Sequence, residues 1–440
     1  MRIGCGAGFA ADRVDAAGQL LDSGPLDYLV FECLAERTIA LRQLERDNDP
    51  ERGYDPLLLR RLAPILGTAM ANGTRIISNS GAANPLAAGR AVRGLAAENG
   101  LGGLSVAVLT GDDVLSLIDR QAPALEDGEP LADHGEIVSA NAYLGADALL
   151  PALASDATVI LTGRVADPSL FVAPIVHTMG WEPPDRGKLA VASLAGHLLE
   201  CAGQVTGGYF AEPGLKDVPG LDALGYPIAE VGADGSLVIT KPAGSGGLVS
   251  TSTVKEQVLY EILDPREYIT PDARLDLTTV SLRQVGPDRV SVTVGPANPR
   301  PERLKVNVGY RAGFRAEAEI SYAGRGAVAR ARLAAEIVTK RLGGHLDQLK
   351  TDLIGIDSLH EQSIPDTGSP YECRLRVAGR DTDKGRTQAV AEEVEALYTN
   401  GPAGGAGIRC HVDEIIGVVS TFLPREAVHT ETTILEGGDQ

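Results

Sequence analysis

Thr158-Val-Ile-Leu-Thr162-Gly163-Arg164-Val-Ala-Asp167-Pro168-Ser169-Leu-Phe171 is the stretch whose reading decides the fold. Residues 158–161 are a short β-branched and apolar run, the pattern of a buried strand. Gly163 ends the run, and Asp167-Pro168-Ser169 reads as a helix start, with Asp167 as N-cap and Pro168 as first helical residue. A strand that turns so quickly into a helix is half of a βαβ unit, and in parallel sheets ligands bind beyond the carboxyl ends of the strands. Arg164 and Asp167 stand in that loop as a cation and a carboxylate and are candidate catalytic residues. The alternative is an ion pair that only fixes the loop.

Working outward, the same alternation recurs. Strands are expected at 2–3, 27–31, 75–77 and 104–109. Helices are expected at 12–21, 34–44, 55–70 and 85–98, with another after Asp112-Asp113. This predicts an α/β fold with a parallel, Rossmann-like sheet and helices on both faces. Right-handed crossovers bring successive loops to one rim. That rim would carry Gly4, Gly6 and Gly8, Glu32 and Glu36, Asn79 and Asn84, Asp112 and Asp113, then Arg164 and Asp167, with Asn141 just upstream. Beyond Asp264-Pro265 the pattern turns antiparallel, with strands at 275–285, 289–294, 304–310, 317–322, 372–377 and 412–423 and helices at 327–341 and 387–397. Two domains are expected: 1–268, and a smaller α+β domain over 269–440.

The totals narrow the function classes. A net charge of −19 argues against a nucleic-acid partner, which needs clustered positive charge. Five scattered cysteines without a CxxC fit a reducing compartment and supply no thiolate zinc site. No apolar run approaches a membrane span and the first residues lack a signal-peptide pattern, so a soluble cytoplasmic protein is expected, and from its size a homo-oligomer.

Several patterns can carry chemistry. Gly4-x-Gly6-x-Gly8 follows a strand and precedes a helix, where a phosphate can bind, but Phe9 replaces the third glycine of a dinucleotide fingerprint. Lys241-Pro-Ala-Gly244-Ser-Gly246-Gly247 opens onto a helix bearing Lys255, an anion cradle or else a plain turn. Asn400 to Gly407, including Gly404, is a third glycine loop or else a helix C-cap. His197, Glu200 and Gln204 share a helix face and are acid–base or metal-ligand candidates, against a structural histidine. Asp112 with Asp113 is a candidate divalent-cation site, against a helix cap. No serine or cysteine stands in a nucleophile elbow.

A set of strings is more specific than any one of these: residues 27–36 (D-Y-L-V-F-E-C-L-A-E), 139–146 (S-A-N-A-Y-L-G-A), 162–171 (T-G-R-V-A-D-P-S-L-F), 196–208 (G-H-L-L-E-C-A-G-Q-V-T-G-G), 225–231 (G-Y-P-I-A-E-V), 241–247 (K-P-A-G-S-G-G), 253–262 (T-V-K-E-Q-V-L-Y-E-I), 321–324 (S-Y-A-G) and 397–407 (L-Y-T-N-G-P-A-G-G-A-G). Over about 3–407 the chain resembles the AtuA family, the acyclic terpene utilisation proteins; Glu32 stands where an aspartate is expected. Longer members carry a further C-terminal ferredoxin-like domain, not expected in a chain of this length. The resemblance implies a role in breaking down branched terpenoid acids as acyl-CoA thioesters, with CoA as part of the substrate, and a lyase or hydro-lyase step. It supplies no site residues. From loop position, Arg164, Lys241, Asn84 and Asn141 are candidate donors to a developing anion, and Asp167, Glu36 or His197 a candidate base. A non-catalytic acyl-CoA or nucleotide-binding subunit is the alternative.

Overall fold

The computed structural model describes residues 1–181, 185–360 and 370–436. The first strands are β1 (Arg2–Ala7), β2 (Tyr28–Phe31), β3 (Arg75–Ser78), β4 (Val106–Thr110), β5 (Ile137–Ala142) and β6 (Val159–Thr162). All but β5 lie parallel in one sheet, in the order β1-β2-β3-β6-β4. Each is short and almost wholly buried, which is why these strands read as unbroken apolar runs. The helices between them are α1 (Ala16–Asp22), α2 (Glu36–Asn48), α3 (Leu58–Leu62), α4 (Leu66–Asn72), α5 (Pro85–Glu98) and α6 (Leu150–Leu153), and α7 (Ser169–Met179) and α8 (Arg186–Leu199) follow β6.

The expected α/β class holds, but the sheet is mixed rather than parallel throughout. Beyond β1 come β7 (Ile228–Val231) and β8 (Leu237–Thr240), and the sheet continues past α9 (Thr251–Leu259) and the short ribbon β9 (Tyr268–Ile269) with β10 (Arg274–Leu275). There β11 (Ser281–Gly286) and β12 (Arg289–Thr293) complete the antiparallel edge β11-β12-β8-β7. The cause is connection length. Residues 232–236 and Pro287-Asp288 are hairpin turns, with Gly235 at φ 87° and Asp288 at φ 51°, and a parallel return needs a crossover of about a dozen residues.

Two compact units are present. The first comprises Met1–Leu131, Val138–Gly309 and Val418–Gln440; the second comprises Ala132–Ile137 and Tyr310–Gly417. The second unit holds most of an antiparallel sheet ordered β14-β15-β13-β16, from β13 (Arg303–Ala323), β14 (Gln348–Ile354), β15 (Glu372–Asp381) and β16 (Ala406–Pro424). The helices α10 (Ala327–Leu342) and α11 (Lys384–Asn400) bury Ala331, Ala334, Val338, Val390 and Val394 against Ile320, Tyr322, Leu375 and Val377. In the first unit, the last strand β17 (Glu431–Leu435) pairs antiparallel with β4.

Three local expectations are corrected. No α-helix follows Asp112-Asp113; among the described residues only a 3₁₀ turn at Leu131–Asp133 occurs before β5. Prolines 123 and 130 and left-handed Gly111, Gly128 and Gly135 break that stretch. The helix expected over 55–70 divides into α3 and α4 around Pro64. Pro168, not Asp167, is the cap of α7, because the Asp167 carboxylate is held by Arg164 instead.

Candidate active site

In the first unit, the carboxyl ends of β1 and β2, the start of α7 and the end of α8 enclose a cavity of about 510 Å³. Gly8, Glu32, Glu36, Asp167, Glu200 and Glu261 are in its wall, and no Lys, Arg or His is among the described residues lining it. A larger hollow of about 870 Å³ shares Gln204, Gly208, Tyr209, Tyr260 and Glu261 with it. The outer hollow carries Lys216, Lys255 and the first turn of α9, with Ser250, Ser252 and Thr253. Between the two, the Tyr209 and Tyr260 rings meet edge to face at 6.4 Å. Tyr209 and Glu261 both have positive φ, at 62° and 58°. Side-chain-bearing residues adopt that region at a cost of about 1–3 kcal/mol each, and such positions cluster at functional sites.

Glu200 is the centre of the inner chamber. His197 Nδ1 lies 3.0 Å from Glu200 Oε1, and Nε2 lies 3.2 Å from the Val258 carbonyl oxygen. A carbonyl only accepts, so Nε2 bears a hydrogen. With a neutral imidazole Nδ1 then accepts from a protonated Glu200; with an imidazolium it donates to a carboxylate. The two forms differ only in where one proton sits. Burial pushes the Glu200 carboxyl up to about 7, while its hydrogen bond from His197 pulls it down. Oε2 of Glu200 is buried with no hydrogen-bond partner among the described residues.

Glu32 directly follows β2 and is fixed from behind. Its Oε1 accepts the Leu34 N–H at 2.8 Å and an Asn79 Nδ2–H at 3.0 Å. Burial holds its carboxyl well above the usual carboxylate range, and nearby Asp167 adds to this against the pull of Arg164. The Asp167 side chain is 39% exposed and that of Glu36, 3.8 Å from Lys305 Nζ, 44%; burial raises the Asp167 carboxyl and Arg164 opposes. Glu36 accepts a hydrogen bond from the Tyr143 hydroxyl, which leaves its carboxyl below the usual range despite burial. The loop after β1 is braced by Asp12, which accepts from Gly8 N–H and from the Tyr226 hydroxyl.

The cations expected to bind substrate do not line this cavity. The Arg164 side chain is 1% exposed and donates to Leu34 O, Val165 O and Asp167, with its guanidinium 4.4 Å from the Tyr143 ring centre. It holds the wall from beneath. Lys241 is likewise engaged: Nζ donates to Ser245 O at 2.8 Å and pairs with Asp288 at 3.2 Å. With Gly244 it lines a separate hollow of about 380 Å³. Lys241→Met is therefore expected to lower unfolding stability by about 1–3 kcal/mol, by orphaning Ser245 O and Asp288, and to leave ligand affinity in the cleft unchanged. Urea melts with parallel binding titrations check this; a stable variant with lost affinity contradicts it.

The remaining candidates have structural partners. Gly6 and Gly8 serve close packing rather than an anion: a Cβ at Gly8 would lie 2.5 Å from the Cys201 carbonyl carbon, and one at Gly6 would lie 2.6 Å from the Phe31 ring. Asn84 caps α5 and donates to Pro50 O and Arg52 O. Asn141 donates to Asp112, whose same oxygen accepts the Arg164 N–H, while Asp113 is exposed, 3.9 Å from Arg46. Among the described residues no group of three or more His, Cys, Asp or Glu is placed to hold a metal ion. Gly246 packs on Gly220 and Gly247 on the Thr206 carbonyl. Asn400 is the last residue of α11 and Gly404 lines a shallow hollow with Arg374 and Arg409, both in the second unit. So the structure gathers Gly8, Glu36, Asp167 and Glu200 at one cavity, with Lys255 in the hollow beside it, His197 behind Glu200 and Asn79 behind Glu32. Glu32, expected on the rim beside Glu36, lines that cavity too, whereas Tyr209, Tyr260 and Glu261 were not expected at a site.

The first unit thus sets a carboxylate-walled cleft on a mixed α/β sheet. The chain belongs to the acyclic terpene utilisation family, AtuA, whose model matches residues 1–434. No curated protein matches. One solved structure, an amidase of the hydantoinase/carbamoylase family from Burkholderia phymatum, is similar at 14% identity with a TM-score of 0.17, over 41% of this chain and 43% of that one. The match spans under half of that amidase, and a likeness so slight carries no argument. No described helix is long and apolar enough to cross a membrane.

Proposed function

We propose that this protein is a lyase, specifically a hydro-lyase, acting on an acyl-CoA thioester in the breakdown of branched terpenoid acids. Family membership supports the catabolic setting. The observation that carries the reaction class is Glu200 in the cavity wall, its carboxyl raised to about 7 by burial, with His197 Nδ1 3.0 Å behind it. A general base works best when its pKa lies close to the working pH. The thioester is favoured over the free acid by charge: a carboxylate in the inner chamber would face Glu32, Glu36, Asp167, Glu200 and Glu261 without an opposing cation in the described lining. The thioester carbonyl is neutral.

In this reading the reacting acyl group occupies the inner chamber and the phosphate-bearing arm lies in the outer hollow. Lys255 and the N-terminal end of α9 offer positive potential there, beside Lys216, which is paired with Glu256. Lys255→Ala is expected to raise KM for CoA esters several-fold at low salt with kcat little changed, an effect that fades as ionic strength rises. The function itself is tested by incubating the protein with saturated and 3-hydroxy branched acyl-CoA esters and following water loss or gain by mass spectrometry. Tight CoA binding without turnover would instead make the chain a binding subunit.

A further inference from the structure

From the same cavity we infer that Glu32 is a second catalytic residue, the acid that protonates the departing oxygen of a 3-hydroxyacyl thioester while Glu200 takes the α-proton. This rests on the function proposed above and adds to it a division of labour. The geometry points to Glu32 because its two oxygens are unlike. Oε1 already accepts two hydrogens, from Leu34 N–H and Asn79 Nδ2. A proton carried by this carboxyl therefore sits on Oε2, for which no described residue provides a hydrogen bond, and the side chain lines the cavity. Burial together with the neighbouring Asp167 favours the protonated form. Asn79 keeps the carboxyl from rotating, since its own carbonyl oxygen is engaged by Cys33 N–H at 2.7 Å. Glu32 and Glu200 thus share one chamber with different surroundings: one is fixed by donors on a single oxygen, the other is paired to a histidine.

The step balances. Glu200 removes the proton from the α-carbon, and that C–H pair becomes the new Cα–Cβ double bond through an enolate-like thioester. The Cβ–O bond breaks, its electron pair stays on oxygen, and that oxygen takes the proton from Glu32 Oε2 and leaves as water. Glu32 is left ionised and Glu200 protonated; transfer of one proton between them, through solvent in the open cleft, resets the site. Hydration is the same sequence reversed.

The test separates the two roles by leaving group. Glu32→Gln preserves the acceptor for Leu34 and Asn79 but cannot supply the proton. Loss of water from a 3-hydroxyacyl-CoA is expected to fall by about 10²–10⁴-fold. Exchange of the α-proton with heavy water should persist, and elimination of fluoride from the 3-fluoroacyl-CoA, which needs no acid, should stay within about tenfold of the parent. Retained dehydration in Glu32→Gln overturns this assignment and leaves the lyase reading standing. Equal loss of all three reactions also overturns it. If Glu32→Gln does not fold, Glu32→Asp serves: the acid is kept but displaced, so dehydration should fall while fluoride loss does not. If the parent protein shows neither exchange nor elimination with any acyl-CoA, the lyase reading fails and this assignment with it.

Discussion

Glu200→Gln is expected to abolish turnover and, above pH 7, to make the protein more stable. The amide has the carboxyl's shape, and its N–H can donate to His197 Nδ1 as the protonated acid does. It cannot take a proton, so kcat should fall by about 10²–10⁴-fold. The stability effect follows from linkage. Burial pushes the folded-state carboxyl from its ordinary value near 4.5 up to about 7. Between those values the folded chain binds a proton that the unfolded chain has released, so the Glu200 contribution to stability is lost as pH rises through that window. Above it the penalty is complete, on the order of 1–3 kcal/mol. His197, Cys201, Tyr268, Asp167 and Glu261 are the titratable groups around this carboxyl. The neighbouring Asp167 and Glu261 raise the Glu200 carboxyl further and so reinforce the direction. Urea midpoints at pH 5 and pH 8 decide the matter: parent and variant should nearly coincide at the first and separate, variant higher, at the second. A variant weaker at pH 8 would mean that Glu200 is stabilised there as an ion pair with His197.

Arg164→Met is expected to cost about 3–5 kcal/mol of stability, among the largest losses available to a single side chain here. The guanidinium is buried, and its N–H groups satisfy Leu34 O, Val165 O and Asp167. Methionine fills part of the space but leaves those acceptors bare, each at a cost of about 1–3 kcal/mol. Leu34 and Asp167 are both in the cavity wall, so ligand binding should weaken as well. Arg164→Lys keeps the charge without the planar fork and should recover only part of the loss. An unchanged urea midpoint for Arg164→Met would remove the claim that this residue holds the wall.

How far the chain could be read in advance depended on what kind of information each feature needs. The helix Pro85–Glu98 was expected over that span because Asn84 and Pro85 mark its start chemically. The central strands were visible as short apolar runs, since parallel strands are buried on both faces. His197 and Glu200 were found by their spacing alone. What stayed hidden was three-dimensional. The letters allow Arg164 to be a binding cation or a loop-fixing ion pair and do not choose; the fold turns both it and Lys241 inward onto partners. Gly6 and Gly8 look like part of a phosphate loop, but Gly6 packs on the Phe31 ring and Gly8 stands where the Cys201 backbone passes too close for any side chain. Tyr209 and Glu261 reach the cleft through left-handed backbone that their residue types do not advertise.

The pairing of β17 with β4 bears on how the chain is made. Residues 106–110 leave the ribosome long before residues 431–435, which later cover their free side. At a synthesis rate of about 5–20 residues per second the interval is roughly 15–65 s. Through that time β4 presents unpaired N–H and C=O groups, a template for strands of other nascent chains. Yield during rapid expression should therefore depend on chaperone supply more than the finished protein's stability would suggest.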